Sequence, residues 1–248
     1  MNYFIGPFQT DDYNIAQLTG LMFPEFCRIF GKEAMNHATC IIYNDPNSEC
    51  PMHITNFEVR LIRLHQKKTS YWAQTIYQLS HEMCHYAIMY GKYNKDTYIK
   101  WLEETMCEAF SYYMLEYCGI NWNKCELAKN NPSFKISIIQ YLNEELEIKP
   151  NNLFILCNSV EKLRQYDRIA EKDRETRRRE RKMLYEAIRI EPTEAAAFMD
   201  YELYINPDTG ITINWNRWIQ DSKLNIIRVM RDIQPVKEEQ EVELAVNY

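Results

Sequence analysis

The sequence predicts an α+β fold. Hydrophobic spacing has period 2 between about Met52 and His65 and becomes helical between Tyr71 and Tyr117. Helical signals then dominate the second half of the chain. Of the 248 residues, 46% are hydrophobic and 26% charged, which excludes a disordered or low-complexity chain and suits a packed globular one.

The elements follow in order. The first 68 residues mix short helical and strand signals. Pro24 opens a short helical segment, Glu25 to Gly31. Ala38 to Tyr43 is an apolar run ended by the turn Asn44-Asp45-Pro46-Asn47. Met52 to His65 reads as one or two strands, with Phe57, Val59 and Leu61 alternating with Glu58, Arg60 and Ile62. Thr69-Ser70 offers an N-cap for a helix from Tyr71 to Tyr90, and Gly91 closes it. Asn94 or Asp96 caps a second helix, Thr97 to about Tyr117, closed by Gly119, so two long helices are joined by a tight loop. Phe134 to Leu146 is an apolar helix or strand, and Leu153 to Cys157 a short apolar run. A long charged helix spans about Val160 to Ile190, where Pro192 interrupts it. After the apolar stretch Ala195 to Ile205, the turn Asn206-Pro207-Asp208-Thr209-Gly210 predicts a hairpin of Tyr201–Ile205 with Ile211–Trp215. The acidic tail, Glu238 to Tyr248, reads as loose.

Composition narrows the function classes. No signal-peptide pattern and no apolar run of membrane-spanning length is seen, so a cytoplasmic protein with no membrane partner is the expectation. The eight cysteines form no CxxC pair and are expected to be reduced and mostly buried. The formal net charge of −6 argues against a globally basic nucleic-acid coat.

One motif carries chemistry. His81-Glu82-Met83-Cys84-His85 is H-E-x-x-H on a predicted helix. Residues four apart share a helix face, so His81 and His85 can reach one metal ion. Glu82 sits where it can touch water at the metal without ligating, as a general base would. Cys84 points about 100° away from His85 and reads as a packed thiol. A catalytic zinc usually takes three protein ligands, so a third is expected from a nearby element.

The next helix contains Trp101-Leu102-Glu103-Glu104, with eighteen residues between His85 and Glu104. Over about His81 to Glu116 the chain resembles the gluzincin metallopeptidases, the thermolysin-like and aminopeptidase group, with H-E-x-x-H-x18-E and a Trp-Leu-x-Glu lead-in. That resemblance implies Glu104 as third ligand to Zn2+. It also implies Glu108, one turn on, as the acceptor for the outer N–H of His81, a group that a ligating imidazole needs. The reverse assignment, Glu108 as ligand, stays open. Glu103 lies about 100° around the helix from Glu104 and reads as solvated. The implied fold is zincin-like: a small mixed sheet packed on an active-site helix and a following third-ligand helix, with a mostly helical C-terminal part. Residues 1–130 would form the metallopeptidase core and 131–248 the helical part with its hairpin, or the two form one continuous domain. In such peptidases a strand edge beside the active helix binds extended substrate, which gives the strand before the metal helix a functional option.

His37, His53 and His65 are scattered and read as satisfied or exposed side chains. Glu161 to Lys182 holds ten basic and six acidic residues and reads as a solvated helix laced with pairs such as Glu171/Glu175 and Glu175/Arg179. Its other reading is an address for nucleic acid or an acidic partner, densest at Arg177-Arg178-Arg179. The expected function is a zinc metallopeptidase acting on peptide or protein substrates. The alternatives are an intracellular regulatory peptidase directed at a DNA-associated protein, and a non-catalytic interaction module that keeps the metal site. Oligomeric state is not legible in the sequence.

Overall fold

The computed structural model describes residues 1–31, 39–55, 60–89, 98–149, 156–170 and 174–235. The expected loop at Gly91 with its caps Asn94 and Asp96, part of the strand from Phe57, most of the run at 153–157, Glu171, His37 and the acidic tail lie outside these residues. The fold is α+β. Five strands, β1 (Tyr3–Ile5), β2 (Phe8–Thr10), β3 (Cys40–Asn44), β4 (Met52–Thr55) and β5 (Arg60–Leu64), form one mixed sheet in the order β1-β2-β3-β5-β4. The inner three run parallel, and β1 and β4 are antiparallel edges. The stretch read as one or two strands is two, with His53 opposite Ile62 and Ile54 opposite Leu61.

The buried face of β5 carries Arg60, Ile62 and Leu64. A buried arginine needs acceptors, and Arg60 finds them at the end of helix α2 (Trp72–Ile88), donating to the carbonyls of Tyr86 and Met89 at 3.3 Å each. Carbonyls at a helix C-terminus lack intrahelical donors in general, and a cation suits the negative end of the helix. Gln78 of α2 fixes the other end of β5, accepting from the His65 amide at 3.0 Å and donating to the His65 carbonyl at 2.9 Å. The sheet thus sets the position and tilt of α2.

Helix α1 (Tyr13–Phe30) runs through Pro24 instead of starting there. Ile15, Leu18, Met22, Phe26 and Ile29 form a continuous buried stripe, and the packing outweighs the hydrogen bond that proline removes. Its N-cap is Asp12, which also accepts from Thr69 Oγ1 at 2.8 Å, so Thr69 ties α1 to the entry of α2 rather than capping α2 itself.

Helix α3 (Lys100–Ile120) starts without a side-chain cap of its own; Asp167, from helix α5 (Val160–Ile169), accepts the Trp101 amide at 2.9 Å. Gly119 lies inside α3 and does not close it. A Cβ there would stand 2.6 Å from Ile139 of helix α4 (Phe134–Leu146), so glycine permits the close α3–α4 approach. The predicted helix 160–190 is two pieces, α5 and α6 (Arg178–Ile190), with a 3-10 turn at Glu175–Arg177 between them. The hairpin near 205 reduces to one bridge, Ile205–Ile213, because Pro192–Tyr204 is a 3-10 run and Trp215 opens helix α7 (Trp215–Ser222). Helix α8 (Asn225–Asp232) follows. Phe8, Ile62, Ile76, Tyr112, Leu184 and Phe198, drawn from both halves of the chain, belong to one apolar cluster. No described helix is long and apolar enough to cross a membrane. Six cysteines are buried, Cys84 and Cys107 among them, while Cys27 is half-buried and Cys50 exposed.

Candidate metal centre

The α2–α3 pair brings His81, His85 and Glu104 together. The two Nε2 atoms stand 3.1 Å apart; Glu104 Oε2 is 3.4 Å from His81 Nε2, and its Oε1 is 3.5 Å from His85 Nε2. Ligands held at 2.0–2.1 Å in a tetrahedral site are separated by about 3.3 Å. The two imidazole nitrogens have about that separation, each has a different Glu104 oxygen at a similar distance, and the three residues could hold a metal ion. Two imidazole nitrogens and a carboxylate oxygen suit a borderline cation of the zinc type. Burial opposes the charge on Glu104, but hydrogen bonds and charge from His81 and His85 outweigh it and hold the carboxyl well below its usual range.

Glu82 is 3% exposed and lines the same cavity of about 480 Å³ as the three donors. Burial raises its pKa, and the neighbouring histidines only partly offset this, so its carboxylate is a stronger base than one in water.

The outer partners differ from expectation. Glu103 is not solvated: it is 2% exposed and accepts from His85 Nδ1 at 2.8 Å and from the Tyr201 hydroxyl at 2.8 Å. The offset from Glu104 that suggested solvent instead faces the far side of the His85 ring. With Nδ1 held by Glu103, Nε2 is the nitrogen that faces Glu104 and His81, and a metal bound there would displace its proton. Burial works against a charged His85, and the bonds to Glu103 and Glu104 raise its pKa well above the ordinary value nonetheless.

Glu108 is fully buried but makes no described hydrogen bond with His81, whose Nδ1 is buried without one. It accepts from Arg181 Nη1, and its Oε1 lies 3.4 Å from Arg174 Nε and 3.6 Å from Arg177 Nη2. Burial raises the Glu108 pKa, but Arg181, Arg177 and Arg174 together bring it below the ordinary value. Nor is Glu108 among the donors that converge on the metal position, which include Glu104.

The basic segment is therefore not simply a solvated face. Arg177 and Arg181 are 0% and 1% exposed. Arg174, Arg177 and Arg181 recur three and four residues apart, in step with Leu184 and Ile188; that helical stripe is the signal in the sequence that marks them as inward-facing. Glu175 pairs with Arg178 at 2.8 Å.

The cavity is lined also by Glu49 to His53, so edge strand β4 and the loop before it border the cluster, and by Tyr98 and Arg174. His53, read as a bystander, is buried there with its ring edge-on to Tyr86 at 5.8 Å. His65 stays apart, its Nδ1 3.3 Å from the Ser48 hydroxyl. No local pattern singled out His53, Tyr201 or Glu103, because each joins the site through tertiary contact. Compared with protein families, curated proteins and solved structures, the chain matches none.

Proposed function

We propose that this chain is a zinc-dependent peptidase with a zincin-like active centre. The observation that carries the reading is the convergence of His81, His85 and Glu104 with the buried base Glu82 beside it. Zinc, when bound, supplies Lewis acidity and brings the pKa of water near about 7. His81, His85 and Glu104 hold it, and Glu103 keeps His85 in the tautomer that ligates. Glu82 takes the proton of the attacking water and passes it to the leaving amine, a task suited to a carboxylate whose basicity burial has raised. Among the described residues β4 is an edge of the sheet, beside the cavity, where an extended peptide can add its backbone hydrogen bonds.

The basic segment lends less support to a DNA-associated substrate, since three of its arginines face Glu108. A non-catalytic module has no use for a buried base at the position of Glu82. The test is Glu82→Gln. Zinc content should stay at the wild-type level while hydrolysis of an unstructured protein falls by about 10²- to 10⁴-fold. Undiminished hydrolysis by that variant, or none by the zinc-loaded wild type, contradicts the reading.

A further inference from the structure

Arg174 is the only Lys or Arg among the described residues that line the metal cavity, whose wall otherwise carries Glu49, Glu82, Glu103 and Glu104. It is held from several sides. Its Nε faces Glu108, its carbonyl accepts from Arg181 Nη2 at 2.6 Å, and its guanidinium lies 5.8 Å from the centre of the Tyr77 ring. Its side chain nonetheless keeps 39% of its surface exposed. The two Nη nitrogens have no hydrogen bond or ion pair among the described residues. A guanidinium anchored at Nε, with its outer edge open to a cavity, is a fork pre-set for a planar anion, and a carboxylate matches it with two parallel N–H···O bonds. Apart from the metal position and the histidines, the other charged groups described in the cavity are carboxylates, so Arg174 is the side chain that can hold a substrate carboxylate away from the metal.

Resting on the peptidase reading of the same site, we propose that Arg174 is a specificity-determining residue that binds a carboxylate of the substrate near the cleaved bond. The carboxylate belongs either to the C-terminus of a peptide or to an acidic side chain. The anchoring limits what can replace it: lysine keeps the charge but loses the fork.

The test is a binding measurement on the zinc-loaded full chain carrying Glu82→Gln, which holds peptide without cutting it. Three matched short peptides are titrated by calorimetry: a neutral amidated one, the same with a free C-terminus, and the amidated one with a single Glu. At least one charged peptide should bind about tenfold tighter than the neutral one, the size of a charge-assisted pair, and which one does so identifies the source. Adding Arg174→Gln should bring that peptide down to the affinity of the neutral one, and Arg174→Lys should restore part of the gain. Circular dichroism of both variants confirms that they are folded. Equal binding of all three peptides, binding of none, or discrimination that survives Arg174→Gln overturns the proposal. The readout is separate from hydrolysis: cleavage without charge discrimination removes this inference and leaves the peptidase, whereas discrimination in a chain whose wild type cuts nothing does the reverse.

Discussion

Among the described residues the candidate metal cluster lies on helices α2 and α3, whereas the segment from Arg174 to Tyr204 adds no member to it but packs against that pair. Two of its contacts divide the task unequally. Tyr201 donates to Glu103, which in turn holds His85, so this contact reaches a member of the candidate cluster through two hydrogen bonds to one carboxylate. Arg181, Arg177 and Arg174 instead converge on Glu108, which no described bond connects to a ligand. The first contact orients a donor. The second welds α6 to α3 through buried charge. One segment therefore serves the site in two separable ways, and the two should respond differently to mutation.

The weld should give the largest stability effect. Glu108→Gln leaves Arg177 and Arg181 buried without their counter-charge, and removing one partner of a buried ion pair costs about 3–5 kcal/mol. Denaturant unfolding of the metal-free proteins measures this, and a loss under about 1 kcal/mol would show that the cluster is not what joins the two regions. The sign with pH follows from Glu108, whose pKa is lower in the folded chain than in the unfolded one. Its contribution is complete above the unfolded carboxylate value of about 4.3 and is lost as pH falls through the folded value. The Glu108→Gln protein should lack that part of the acid dependence.

Tyr201→Phe should be milder for the fold and more selective for the site. One buried hydrogen bond is lost, worth about 0.5–1.5 kcal/mol, and an outer partner of a metal ligand typically changes affinity by about 10- to 100-fold. Because Tyr201 acts through Glu103, the lower end of that range is expected for zinc. Glu108→Gln, by contrast, should leave the zinc affinity of the folded protein within a few-fold of wild type. If Glu108→Gln loses zinc as severely as Tyr201→Phe, the two contacts are not separable and the comparison fails.

The two regions also differ in how far the sequence exposed them. His81 and His85 were legible because four residues is one helical turn, and a ligand pair on one helix needs no tertiary information. Glu104 required only that the second helix fold back on the first. Glu103 was misread for a physical reason: helical geometry fixed its angle from Glu104, but not that His85 and a tyrosine 98 residues away would occupy that side. In β5 the alternation was visible, but Arg60 on the buried face makes sense only once the last carbonyls of α2 lie against it. The arginine stripe at 174, 177 and 181 had the correct period, yet its composition favours solvent unless a buried carboxylate awaits it. The single bridge at Ile205–Ile213 shows the converse: the turn at 206–210 was legible, but the flanking segments are taken by helical packing.

The account rests on a metal held by His81, His85 and Glu104, and zinc stoichiometry after exhaustive dialysis tests this most directly. Wild type should retain one zinc per chain, and Glu104→Gln should retain almost none while keeping the wild-type circular dichroism spectrum. A wild-type chain that binds no zinc, or a Glu104→Gln chain that holds it as tightly as wild type, would contradict it.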